Sequence, residues 1–156
     1  MVQIKVDTAA RKNYGNRRKT KVIKYLVIHY TGNDGDSAKG NANYFKTHIV
    51  EASAHYFVDD SGIIQSVPDD FAAYSVGGRK YPSCGKTGGG RFYGKCTNEN
   101  SINVELCDTR KNGRFDFSEK TLDNAADLCR VLLKKYNISV DNIIRHFDVV
   151  GKNCPA

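Results

Sequence analysis

The segment VIKYLVIHY at residues 22–30 is β-branched, aromatic and almost unbroken in its apolar character. That is the pattern of a strand buried on both faces, and such a strand needs packing layers above and below it. A helix to supply one layer is equally plain. Leu122, Ala125, Ala126, Cys129, Leu132, Leu133 and Tyr136 recur at helical spacing across 118–136. Ser118 stands at the N-cap position, with Glu119 early and Lys134 and Lys135 late, as the helix dipole favours. A second helix is expected over 37–49, capped by Ser37 and apolar at Ala38, Ala42, Phe45 and Ile49. AHYFVDD and IIQSV, joined by Asp60, Ser61 and Gly62, read as a hairpin. SINVELC at 101–107 and NIIRH at 142–146 read as further strands. Strands interleaved with helices make this a mixed α/β chain, and its 156 residues without repeat or linker make one domain.

Charge is unevenly placed. The net charge is +7, and residues 1–24 hold eight of the 24 basic side chains but one of the 17 acids, leaving the rest of the chain balanced. Residues 1–21 are therefore expected to be a basic N-terminal arm. It would suit a polyanion such as an anionic wall polymer, or it is a solvated surface. Aromatic interleaving is limited to Tyr14, so nucleic acid is not the expected partner. No apolar run is long enough for a membrane span, and MVQIKVDTAARK lacks the apolar stretch of a signal peptide. Five cysteines with no CxxC pair argue against a disulfide framework or a zinc finger. Cys107 and Cys129 lie in apolar runs as small buried thiols, whereas Cys84 and Cys96 flank one Gly-rich loop where they could pair.

That loop belongs to residues 75–100, a stretch without periodicity and rich in Gly, Lys, Arg and Tyr, of the kind that often carries function. Its GKT at 85–87 is no phosphate loop, because Lys80 occupies the place of the first glycine.

Chemistry concentrates at strand ends. His29 closes the 22–30 strand and His146 closes the 142–146 strand, with Cys154 eight residues further on. Two imidazoles and a thiolate can converge on one ion, leaving a fourth tetrahedral position open as catalytic zinc requires. Glu105 is an acid inside an apolar strand, where an unpaired carboxylate costs several kcal/mol, so a partner is expected for it. Lys152, two residues before Cys154, would lie close to any such ion.

YLVIHYTGN around His29, ASAHYFVDDSG at 52–62, NSINVELC at 100–107 and IIRHFDVVGKNCP at 143–155 occur in that order. In these blocks the chain resembles the zinc-dependent N-acetylmuramoyl-L-alanine amidases of the type 2 amidase and peptidoglycan-recognition-protein superfamily, above all phage endolysin catalytic domains. The resemblance covers about residues 22–156. It implies a central mixed β-sheet flanked by helices, with His29, His146 and Cys154 as zinc ligands. Glu105 would exchange protons with the water and the leaving amine, and Lys152 would stabilise the oxyanion. The bond cut would join N-acetylmuramic acid to L-alanine in peptidoglycan. His55 would line the substrate cleft, Thr31 would orient water or substrate, and the loop 77–96 would form a cleft wall. There Arg79, Lys80, Arg91 and Tyr93 would meet peptide carboxylates and sugars. Where some relatives carry a tyrosine before the cleft histidine, this chain has Ala54, which assigns the acid–base role to Glu105.

A single compact catalytic domain over 1–156 is expected to be monomeric. A C-terminal wall-binding module, which endolysins of this type often add, is expected to be absent from this chain, whose sequence departs from the family by stopping two residues after Cys154. By the same resemblance such an enzyme is made in the host cytoplasm and reaches the wall after holin-mediated release. Three alternatives remain at this point. They are a non-catalytic recognition module of the same fold, a thiol hydrolase using Cys154 with His146 as base, and a nucleic-acid binder working through residues 1–24.

Overall fold

The structure, a computed structural model, describes residues 3–111 and 113–156. In chain order the strands are β1 (Ile4–Val6), β2 (Tyr14–Arg17), β3 (Tyr25–Tyr30), β4 (Tyr56–Asp59), β5 (Gly62–Gln65), β6 (Phe71–Ala73), β7 (Ser101–Leu106), β8 (Thr109–Lys111), β9 (Arg114–Asp116) and β10 (Ile143–Arg145). The helices are α1 (Ala38–Thr47), α2 (Cys84–Thr87), α3 (Glu119–Tyr136) and α4 (His146–Val150). Six strands form the central sheet in the order β1-β5-β4-β7-β3-β10, in which only β4 and β5 run antiparallel. β2 with β6 and β8 with β9 make two small antiparallel pairs beside it.

Alternation along the strands divides the core. Leu26, Ile102, Val104, Tyr56 and Val58 face α3 and pack on Ala125, Leu128 and Leu132. Truncating a fully buried leucine such as Leu128 would cost about 2–5 kcal/mol. α3 is bounded as its sequence suggests. Ser118 accepts the Thr121 amide, and Asn137 ends the helix in the left-handed region at φ 51°. On the opposite face Val27 and Ile144 pack with Val149 and Val150 of α4, whereas Phe57 and Ile64 pack with Ala38 and Ala42 of α1. The sheet is thus covered on both faces, and a cleft opens between α1 and α4.

The hairpin and both long helices lie where periodicity places them, with trimmed ends. α1 stops at Thr47, leaving Ile49 exposed, and β3 starts at Tyr25 because residues 20–22 form a 3-10 turn. His146 opens α4 instead of closing β10.

The N-terminal segment differs more. Residues 3–21 are no free arm: β1 pairs with β5 and β2 with β6. Asn13 is fully buried; its amide donates to the Phe45 and His48 carbonyls and its oxygen accepts the Val50 and Glu51 amides. Arg18 is 8% exposed and donates to the carbonyls of Asp69, Asn98, Glu99 and Ser101. Polar anchors of this kind give no hydrophobic period to read. Among the described residues no helix is long and apolar enough to cross a membrane, and all five cysteines are free, Cys84 and Cys96 included.

Candidate metal centre and active-site cleft

Three adjacent parallel strands deliver the site. Register pairs His29 of β3 with Glu105 of β7, and Arg145 of β10 with Ile28, so His146, one residue on, comes level with His29. Crevices at the carboxyl ends of parallel strands are where such sheets bind ligands. Cys154 returns to the same place because its carbonyl accepts the Phe147 amide at 2.9 Å. Donor atoms of His29, His146 and Cys154 lie within 4.8 Å of one another, and all three residues are buried.

The orientation of His29 is set from behind. The Asn103 amide nitrogen donates to Ser101 Oγ, which turns its oxygen towards His29 Nε2 at 3.0 Å. Nε2 therefore carries the proton and donates, leaving the Nδ1 lone pair facing the cleft. Nδ1 stands 3.9 Å from Cys154 Sγ and 3.9 Å from Glu105 Oε1. Among the described residues His146 has no hydrogen-bond partner on either ring nitrogen although both are buried, and Glu105 Oε2 is buried and unpartnered as well.

Burial drives every group here towards its neutral form. It lowers His29 to about 3, helped by His146, and His146 to about 4, helped by Lys152. It lifts the Cys154 thiol to about 11 and Glu105 to about 8, the latter against the pull of Lys152. The His29–Glu105 contact is accordingly not an ion pair. Neutral imidazoles are what a metal requires. The His2Cys set suits zinc, whose tetrahedral bond lengths put donors about 3.3–3.6 Å apart; the 3.9 Å gap between Nδ1 and Sγ and the other separations, all within 4.8 Å, would close by about 1.5 Å at most. An imidazole buried with two idle nitrogens costs free energy unless something binds it. The residues fit the metal.

A cleft of about 630 Å³ lies over these groups and is lined also by Lys152, Thr31 and the α1 residues Asn41, Tyr44 and Phe45. Thr31 Oγ1 donates to Asp108 Oδ1 at 2.8 Å, which fixes its hydroxyl at the rim.

Other expected site residues are placed elsewhere. His55 is fully buried beneath the cleft, not in its wall. The Asn103 backbone amide donates to its Nδ1, Nε2 faces the Phe71 carbonyl at 3.0 Å, and Arg18 packs alongside. Its role is to tie β4, β7 and the N-terminal segment together. Arg79, Arg91 and Tyr93 are exposed and do not line the cleft. Their loop instead lies along α4, where the Tyr81, Gly90 and Phe92 amides donate to the Val150, Phe147 and Asp148 carbonyls. Arg91 stands 3.8 Å from Asp148, which Arg145 already engages through two nitrogens. Asn103 was not anticipated. Its signal is a polar side chain two residues before Glu105, hence on the same strand face.

A family model described as N-acetylmuramoyl-L-alanine amidase matches residues 18–156. The chain is 38% identical over 144 residues to a probable N-acetylmuramoyl-L-alanine amidase of Bacillus licheniformis, covering 88% of this chain and 38% of that protein. It is 33% identical over 157 residues to the N-acetylmuramoyl-L-alanine amidase CwlH of Bacillus subtilis strain 168, covering 99% of this chain and 56% of the relative. The chain therefore spans only a part of these relatives. Among solved structures, a mutant endolysin from Bacillus subtilis superposes with a TM-score of 0.74 at 30% identity, covering 99% of this chain and 90% of the other. The catalytic domain of XlyA gives 0.74 at 29% identity, with 99% and 90% covered.

Proposed function

The chain belongs to the N-acetylmuramoyl-L-alanine amidase family, and on that premise we propose that it is a zinc-dependent hydrolase of the amide between N-acetylmuramic acid and L-alanine in bacterial peptidoglycan. The observation that carries the zinc reading is His146, buried beside His29 and Cys154 with both ring nitrogens unpartnered. Zinc held by His29, His146 and Cys154 supplies Lewis acidity towards a carbonyl and makes a water more acidic.

The chain's own residues do the rest. Asn103 holds the His29 tautomer. Glu105, raised to about 8 by burial against the pull of Lys152 in the metal-free chain, would be ionised by the added positive charge of a bound zinc. As the carboxylate it takes a proton from the attacking water and returns it to the leaving L-alanine amine. Lys152 brings positive charge to the rim for the developing oxyanion. Thr31, its proton committed to Asp108, keeps lone pairs free to accept a hydrogen bond from substrate. Burial lifts Cys154 to about 11, which keeps it protonated at neutral pH in the metal-free chain and disfavours a thiol nucleophile, whereas zinc bound there would displace that proton.

The likeness to endolysin structures supports cell-wall lysis as the role, with a chain made in the host cytoplasm and released to the wall through a holin. In this reading residues 1–156 act as one monomeric catalytic domain, and exposed Lys5, Lys12, Arg17, Lys19 and Lys21 meet anionic wall polymers. The test is release of new amino-terminal alanine from purified peptidoglycan, abolished by chelation and restored by zinc. Activity indifferent to chelation, or binding without new amino termini, would overturn it.

A further inference from the structure

The segment that carries Cys154 leaves α4 through Gly151, which sits at φ +86°. A side chain there would do more than strain the backbone. A Cβ at Gly151 would stand 2.3 Å from Cys84 Sγ, and one at Gly90 would stand 2.9 Å from the same sulfur. The Cys84 thiol therefore occupies a slot between two glycines, one from its own loop and one from the turn that leads to the ligand cysteine. It is buried, and its S–H donates to the Val150 carbonyl at 3.5 Å. The Tyr81 amide donates to that carbonyl at 2.7 Å, the Gly90 amide to Phe147 at 3.0 Å and the Phe92 amide to Asp148 at 2.9 Å. Gly89 lies so close that its Cβ would be 2.9 Å from Gly151 Cα. Residues 81–92 thus strap α4, which begins with His146, and press on the turn that ends in Cys154.

We propose that Cys84 is a positioning residue for the metal centre: wedged between Gly90 and Gly151, its thiol sets the path of residues 151–154 and so the placement of Cys154 against His29 and His146. The proposal rests on the zinc reading above. It gives the Gly-rich loop a task other than contacting substrate, and it explains why a cysteine stands there, since the slot is thiol-sized. Alanine leaves the turn unsupported, serine nearly fills the space and keeps a donor for Val150, and leucine overfills it.

The test is zinc affinity, measured by chelator competition on the full chain, beside the melting temperature of the metal-free protein. Cys129→Ala is the control, because it removes a half-buried thiol from α3 on the other face of the sheet. Cys84→Ala is expected to weaken zinc binding about 10- to 100-fold, the usual cost of losing a support behind a ligand, whereas Cys84→Ser and Cys129→Ala stay within about threefold. Gly151→Ala is expected to weaken binding too, and adding Cys84→Ala to it should recover part of the loss by relieving the clash, a coupling of the kind seen only between touching residues. Unchanged affinity in Cys84→Ala, or an equal loss in Cys129→Ala, would overturn the positioning role while leaving the metal site intact. A wild-type chain that binds no zinc would instead overturn the metal reading on which the role rests.

Discussion

Two buried polar clusters lie on this sheet, and they are finished to different degrees. Around Asp69, which is 6% exposed, both carboxylate oxygens are satisfied. Tyr56 and Gln65 donate to Oδ1, Lys135 and Tyr136 donate to Oδ2, and Arg18 donates to the backbone carbonyl. Burial works against the charge there, but the hydrogen bonds from Tyr136, Tyr56 and Lys135 outweigh it and hold the carboxyl below its ordinary value. In the cleft the balance is reversed. Of six buried side-chain atoms without a partner among the described residues, three belong to His146 and Glu105. A complete network locks a fold, whereas an incomplete one keeps its bonding capacity for something that arrives later. The first cluster fastens α3 and the N-terminal segment to the sheet, whereas the second leaves bonding capacity unused at the cleft.

That contrast can be broken by exchanging what each cluster loses. Glu105→Gln should cut hydrolysis of peptidoglycan by about 10²–10⁴, the usual worth of a general acid–base group, with zinc content kept and no loss of melting temperature. A fall in stability without a fall in kcat would move Glu105 to the structural class. Asp69→Asn should do the opposite, costing about 2–3 kcal/mol in urea unfolding while the folded enzyme keeps its kcat.

The two clusters also separate along the pH axis. Asp69 is held low, so its stabilisation is complete above the ordinary aspartate range and fades as pH falls through its folded value. His29 and His146 lie at about 3 and 4 when folded, so the unfolded chain takes up their protons first, and metal-free protein should lose stability progressively below pH about 6.5. Denaturant midpoints taken every half unit should show both windows, with Asp69→Asn erasing only the lower one.

Asn103→Ala sharpens the comparison further, because Asn103 belongs to a satisfied pair yet serves the open cluster. It should weaken zinc binding about 10- to 100-fold by releasing the His29 ring, as chelator competition would show. The smallest effect is expected at Arg91, where Arg91→Ala removes a long contact from a side chain 72% exposed and should change stability by no more than about 0.5 kcal/mol. A large loss of substrate affinity there would return the loop to the cleft wall.

What could be read in advance follows the same division. Elements with a hydrophobic period, such as α3, α1 and the β4–β5 hairpin, are visible in the residues that make them. β1 and β2 are too short for any period, and they are held by Asn13 and Arg18, whose hydrogen bonds leave no trace in composition. His29, His146 and Glu105 stand out because each is an expensive residue at the end of, or within, an apolar run, and Cys154 because it follows His146 by eight residues. His55 has the same outward look, a histidine entering an apolar strand, and proves to be a buried tie. What distinguishes it is whether its nitrogens find partners, and that depends on Asn103 and Phe71, residues 48 and 16 positions away. The exposed cations of the 75–100 loop misled for a related reason. Charge marks them as solvated, but only the amide bonds to α4 reveal which side the loop faces.

The most direct test is zinc content after exhaustive dialysis, measured by elemental analysis on wild type and His146→Ala together. About one zinc per chain in the wild type and none in the variant is expected, since three protein ligands are the minimum for a catalytic site. Equal zinc in both, or none in either, would mean that the unpartnered nitrogens of His146 do not await a metal.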